Sequence, residues 1–386
     1  MTAPASPATH RDHAFLAALL DWAVTAPGRS HVWSPQSVGT VLALLASAAG
    51  GRARDQLCNV LLADSTFPAP PGADAAVAAH LDLLDTAVRV GDTENIVATT
   101  ALYTAEGMRL RPEFEERMLG LVGSEVATAD FARDPEGTRT AINAAIADAT
   151  QGLVRALLPP GSVTPQTLAV LATTLWVRLR WVMPFDPEET RPRVFHAPEG
   201  DREVPMMWSD AYLEHARAAG WSMVSLEGDQ DLTLDVLLPD DPSGELPALT
   251  PDTLAELRGN TVDRPVDLSL PRFRLEHSVD VLTALRELSF DALAEAAPDL
   301  PGMCDRPARF DRILHRSVVT VDEAGAEAAA ATAMVAVAGV PDALPEPPPP
   351  VEFTADRPFV FVLRRGEAIL FLGRVTDPAD PGPAAS

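Results

Sequence analysis

The sequence predicts an α+β protein. Three observations carry that reading. The first 160 residues show helical spacing of apolar positions. After residue 165 near-continuous or alternating apolar runs take over. Near the end, Phe359–Leu363 and Ala368–Val375 flank Arg364-Arg365-Gly366-Glu367, the pattern of a hairpin. Helices first and strands later argue against alternating βαβ units.

Taken in order, Ala14–Leu20 is apolar and Asp21 interrupts it. With no basic stretch ahead of it, this segment reads as an amphipathic helix rather than a signal peptide. Ser34 is a good N-cap and Pro35 is tolerated in the first turn. Val38, Val41, Leu42 and Leu45 then follow at helical spacing, and Gly50-Gly51 ends the helix. Arg54–Leu62 and Ala75–Val88 read as helices around a Pro-rich loop at Phe67–Gly72. Ile96–Tyr103 reads as a strand, Pro112–Leu119 and Thr138–Thr150 as helices. Leu168–Trp176 is apolar enough for a strand buried on both faces. Leu232, Leu234, Val236 and Leu238 alternate, as strands do. Val266–Leu270 is a short strand before Pro271, Val279–Leu288 an amphipathic helix, and Val318, Val319 and Val321 continue extended.

Composition excludes several functions. The chain has 386 residues, 47% of them apolar, and a net charge of −25 from 30 basic and 55 acidic side chains. All the basic residues are arginine. Nucleic acid and anionic membranes need clustered positive charge, so neither is an expected partner, and heparin is excluded on the same ground. Cys58 and Cys304 are the only cysteines, too few for a disulfide scaffold or a cysteine-rich metal site. Cys58, on a helical stretch, reads as core. Near the C-terminus the uncharged stretch Ala328–Val340, closed by Pro341, is thirteen residues, too short to span a bilayer. A soluble, cytoplasmic monomer is expected, with leaderless export as the other route.

Catalytic motifs are missing. There is no Gly-x-Ser-x-Gly elbow, no Walker loop and no Gly-x-Gly-x-x-Gly. No two of the eight histidines stand at i, i+4. No enzyme activity, catalytic residue, cofactor or metal is therefore expected. Although length alone suggests two or three domains, no linker divides the chain. One domain over 1–378 and a disordered tail over 379–386 are expected.

One segment resists ordinary reading. Val321 to Val340 is rich in alanine, the best helix former. Yet Val335, Val337 and Val340 alternate with small residues, which suits a strand. Under period-2 alternation, one face holds Ala326, Ala328, Ala330, Thr332, Met334 and Ala336. No proline interrupts Ala324–Val340, so every N–H there can join a ladder, whereas Pro341–Pro350 is proline-dense, extended and solvated. The segment can be loop, helix or inserted strand.

This segment and its surroundings resemble the serpin family, in a bacterial-type member. The likeness rests on Ser34-Pro-Gln-Ser-Val38, on Trp181 followed by Pro184-Phe185, and on Val204-Pro-Met-Met207. It continues through Leu270-Pro-Arg-Phe273, His315-Arg-Ser-Val-Val-Thr-Val-Asp-Glu323 and Gly325–Thr332. Asp356-Arg-Pro-Phe-Val-Phe361 and Ile369-Leu-Phe-Leu-Gly-Arg-Val375 complete it.

The resemblance implies a serpin fold with three β-sheets, about nine helices and an exposed reactive-centre loop. It implies a metastable, suicide-substrate protease inhibitor. The target protease cleaves the loop, is held as an acyl-enzyme, and is carried along as the loop inserts into the main sheet. The implied hinge is Glu323 with Gly325, Ala326, Glu327, Ala328, Ala329, Ala330, Ala331 and Thr332. The implied reactive bond is Gly339–Val340, with Ala338–Gly339 as the shorter alternative. A small residue before the cut fits an elastase-like or subtilisin-like serine protease. Ser34, Ser37, Thr173 and His315 map onto the shutter, Thr173 standing where many members have asparagine. Trp181 maps onto the breach. Without the resemblance, Ser34 is simply a helix cap and His315 a buried histidine. The alternative function is a non-inhibitory serpin acting as a binding or chaperone-like protein. The small hinge residues favour inhibition.

Overall fold

A computed structural model describes residues 13–25, 28–62, 72–89, 95–243, 245–287, 299–305, 310–324 and 348–382. The elements in chain order begin with α1 (His13–Thr25), β1 (His31–Trp33), α2 (Pro35–Ala48), α3 (Gly51–Leu62) and α4 (Ala73–Val88). Next come β2 (Ile96–Ala105), α5 (Pro112–Leu119), β3 (Ser124–Ala129), α6 (Pro135–Ala149), β4 (Ala169–Arg178) and a 3-10 turn at Pro187–Glu189. Then follow β5 (Arg191–Ala197), β6 (Gly200–Ala218), β7 (Trp221–Glu227), β8 (Leu232–Pro239), α7 (Pro251–Gly259), β9 (Val262–Pro271), β10 (Phe273–Asp280) and α8 (Val281–Glu287). β11 (Arg312–Val321), β12 (Val351–Thr354), β13 (Phe359–Arg365) and β14 (Ala368–Val375) close the chain. No helix among the described residues is long and apolar enough to cross a membrane.

Two compact units divide these elements. The first holds 33–177 and 276–318, with residues up to 19. Its α2 is buried nearly all round, Gln36, Ser37 and Thr40 included, and packs on both α3 and α4. Gly39 makes the close approach to α4 possible: a Cβ there would stand 2.8 Å from Leu84 Cδ1. Ser34 Oγ accepts from Ser37 N at 3.0 Å, which is the cap its type predicts. Along β2 and β4, alternate side chains (Val97, Tyr103, Val170, Trp176) join Phe131, Ile142, Ile146 and Leu158 in one apolar cluster.

The second unit holds 20–32, 178–275 and 319 onward. A nine-stranded sheet runs β1-β14-β13-β8-β7-β6-β9-β12, with β5 also on β6. The three sheets implied by the sequence emerge as two hydrogen-bonded sheets among the described residues. The reason is the length of β6. It pairs β5 over Gly200–Met206, β7 over Glu214–Ala218 and β9 over Met206–His215, so one strand is common to two antiparallel groups. Eight α-helices and one 3-10 turn are described, where about nine helices were implied.

Several boundaries differ from the sequence reading, each for a local reason. α6 starts at Pro135, not Thr138, because Asp134 Oδ1 accepts from Gly137 N at 2.9 Å. α8 starts at Val281, not Val279, since Asp280 Oδ1 accepts from Leu282 N and Val279 belongs to β10. α3 begins at Gly51 rather than Arg54, with Gly51 at φ +48° as the joint after α2. The expected tail begins at 379. Ala379 O accepts from Arg274 N at 2.8 Å, Asp380 pairs with Arg272, and 383–386 lie outside the described residues.

One buried ion cluster sits in the second unit. The Asp235 side chain is fully buried. It accepts from Ser225 Oγ (2.8 Å), Arg258 Nε (3.0 Å) and Arg364 Nε (3.0 Å). Burial pushes the Arg258 guanidinium below its usual value, and Asp235 opposes that shift. Asp235→Asn keeps the shape but leaves two arginines without their anion. A loss of about 3–5 kcal/mol is expected, read as a lower urea midpoint. An unchanged midpoint would show that the cluster adds nothing.

Candidate functional site

The five-stranded sheet runs β10-β11-β4-β2-β3. At one end of the β4–β11 pair Asp311 N donates to Ala169 O (3.0 Å), and at the other Leu179 N donates to Thr320 O (3.4 Å). Start meets start and end meets end, so β4 and β11 run parallel. Among the described residues no strand lies between them.

β11 leads straight into the implied hinge, and its exit is tied down. Trp181, 1% exposed, donates from Nε1 to Asp322 O (2.7 Å) and from its backbone N to Ala324 O (2.9 Å). Phe185 packs edge-on against the indole, ring centroids 5.8 Å apart. Asp322 accepts from Arg178 Nη2 (3.1 Å) and from Ala324 N (2.9 Å). The Glu323 side chain is 1% exposed. Its Oε1 accepts from Thr190 Oγ1 (2.7 Å) and pairs with Arg272 Nη1 (3.3 Å), while Oε2 has no partner. Arg272 reaches on to Asp380 (3.1 Å). Trp181 and Glu323, the residues mapped onto breach and hinge, thus both anchor the stretch 322–324. Gly325–Thr332 and Ala338–Val340 lie outside the described residues.

The shutter residues are all buried: Ser34 0%, Ser37 3%, Thr173 1% and His315 1%. Their side-chain hydrogen bonds run mostly to neighbours outside the set, while Thr173 meets His315 through its backbone. Ser34 caps α2 through Ser37 N; Ser37 Oγ donates to Gln36 Oε1 (3.1 Å); Thr173 Oγ1 donates to Thr99 O (3.1 Å). His315 Nε2 pairs with Ser317 Oγ at 2.6 Å, two residues on and so on the same face of β11. Threonine's single hydroxyl covers fewer partners than an amide would. Ser37 and Thr173 instead line a cavity of about 10 Å³ with Gln36, Thr40 and Thr99, room for roughly one water. Sequence reasoning missed Ser317, Arg272, Thr190 and Asp322. All but Thr190 stood in quoted motifs, but only the fold shows what they touch.

Burial pushes His315 down to about 3, and the nearby His277 adds to that; the Thr173 backbone works the other way. The ring is therefore neutral in the folded protein at all but very acid pH, whereas the unfolded ring takes up a proton below about 6.5. The resulting stability is complete above about pH 6.5 and is lost as pH falls toward 3. From pH 6.5 to 5.5, before most carboxylates titrate, this group alone should lower stability by about 1 kcal/mol. His315→Asn should flatten that slope in urea melts; an identical slope would assign it to other groups.

A family model described as Serpin (serine protease inhibitor) matches residues 16–378, and the chain belongs to that family. It is 33% identical over 295 residues to a leukocyte elastase inhibitor of Bos taurus, covering 72% of this chain and 76% of that one. It is 29% identical over 380 residues to a putative serpin-Z6C of Oryza sativa subsp. japonica, covering 90% and 91%. The fold is shared with uncleaved ovalbumin (TM-score 0.81, 21% identity, covering 97% of this chain and 100% of that one).

Proposed function

We propose that this serpin is a suicide-substrate inhibitor of an elastase-like or subtilisin-like serine protease, with residues 1–378 acting as one domain. The observation that carries the reading is the parallel β4–β11 pair, with the hinge leaving β11 at its tied end. A strand continuing from Ala324 would turn back between these two. The hinge residues that would face the core, Ala326, Ala328, Ala330 and Thr332, are small enough to slip between packed strands. Fifteen added residues would extend roughly 50 Å at about 3.3 Å each. Each new backbone bond would add about 0.5–1.5 kcal/mol. The order of events follows. The protease attacks at Gly339–Val340, or one residue earlier. The freed segment then inserts, and the bound enzyme is displaced before water can release it. The bovine relative's name supports an elastase-like target.

Incubation with an elastase-like and a subtilisin-like protease, read by denaturing gel and intact mass, tests this. An SDS-stable complex with cleavage after Gly339 or Ala338 is expected. Clean cleavage without a complex, and with no gain in melting temperature, would replace inhibition with a binding or chaperone-like role.

A further inference from the structure

Large apolar side chains are exposed at six described positions, and three of them line one cavity of about 330 Å³. These are Val182 (43% exposed), Met183 (64%) and Tyr212 (59%). A fourth, Val262 (62%), adjoins the lining residue Asp263. The floor is buried and apolar: Trp181, Phe185, Leu226 and Leu268. Exposed apolar groups rimmed by polar ones mark binding surfaces more often than chance placement would. The volume lies at the low end of roughly 300–1,000 Å³ for ligand pockets, room for a large side chain rather than a folded segment.

The rim is acidic. Glu214, Glu227 and Asp263 line the cavity, all exposed, and no arginine pairs with them among the described residues. Glu214 stands directly opposite Asp263 across β6 and β9. Farther along the same strands Asp210 faces Asp267, which faces Glu352 of β12. Like charges directly opposite cost stability, and a cationic partner would relieve that cost.

Position names the partner. Trp181, in the cavity floor, holds Asp322 and Ala324, the last described residues before the reactive segment. Leu268, also in the floor, is in register with Phe353 of β12, the first strand after it. Both ends of the reactive segment border this face, so an enzyme engaging the segment stands over it. We propose that the cavity and its rim form a docking site for the target protease. It takes an apolar side chain flanked by lysine or arginine on the protease surface. The inference rests on the reading that a protease cuts the reactive segment.

The test measures the second-order rate of cleavage by two proteases of one primary specificity, one basic and one acidic at the surface. Two variants are compared with wild type: Met183→Ser with Tyr212→Ala, and Glu214→Gln with Asp263→Asn. With the basic protease both should be slower by about 10-fold at low salt; the deficit of the rim variant should shrink as salt screens the charges, and that of the apolar variant should persist. The acidic protease should not distinguish them. Equal rates with the basic protease would overturn the docking site, as would a loss confined to the acidic-rim variant. Melting temperatures check folding, expected to match wild type for the apolar variant and to equal or exceed it for the rim variant, whose facing charges are gone, and Met183→Ser alone repeats the cavity test with less disturbance. Cleavage rate is measurable whether or not the enzyme is trapped. Failure of docking therefore shows as an unchanged rate, and failure of inhibition as cleavage without a stable complex.

Discussion

On the proposed inhibitory mechanism, replacing Ala330 with proline is expected to turn an inhibitor into a substrate. Proline has no N–H to give a ladder and its ring clashes with a neighbouring strand, so it is excluded from central strands. Position 330 lies midway along the face that insertion would bury. Cleavage, which needs only an accessible bond, should continue at the wild-type rate. Insertion should stall before the protease is carried along, giving it time to hydrolyse the acyl bond. The expected readout is loss of the SDS-stable complex and a stoichiometry of inhibition raised by about 10-fold or more, as each turnover spends a molecule. Ala331→Pro tests the adjacent, opposite face and should act similarly, since the ladder is lost there too. Undiminished complex formation by Ala330→Pro would mean that insertion does not proceed through this segment.

Arg272→Ala should release the hinge from the other side. Glu323 is buried with one oxygen already lacking a partner, and Arg272 is the cation that faces it. Removing one member of a buried pair costs about 3–5 kcal/mol, with Thr190 retaining part of the hold on Oε1. Asp380 loses its partner in the same step. On the proposed mechanism the uncleaved protein should lose inhibitory activity faster on incubation at raised temperature, because the contacts that anchor Glu323 are loosened. Arg272→Lys keeps the charge but not the forked geometry that reaches both carboxylates, so an intermediate lifetime is expected. A lifetime equal to wild type for Arg272→Ala would show that Trp181, Thr190 and Arg178 suffice to hold residues 322–324.

What was legible beforehand follows physical scale. Helix α5 was read to the residue because Pro112 starts it and its pattern is local. The β13–β14 hairpin was legible for the same reason. By contrast, β6 was not read as a strand. Its burial does not alternate from end to end, since its partners change along its length. β9 extends beyond Val266–Leu270 to Val262–Pro271, with polar residues such as Asp263 facing outward that offer no apolar signal. At the site, Glu323, Trp181 and the shutter set were found through sequence resemblance. The contacts that give them force were not, because Arg272 meets Glu323 across 51 positions and Thr190 across 133. Nothing in local pattern encodes such pairings.

The nine-stranded sheet ends in a chain-length problem of its own. β1, one of the first elements made, lies against β14, the last strand. Ser30 Oγ accepts from both Thr376 N and Asp377 N, 346 and 347 residues away. That edge cannot close until nearly all of the polypeptide has left the ribosome. At about 5–20 residues per second, the early strand waits roughly 17–70 s for its mate. During synthesis the exposed edges of β8 and β1 are open to strands of neighbouring nascent chains. Growth temperature and translation speed should therefore govern the yield of active protein more strongly than the stability of the finished fold does.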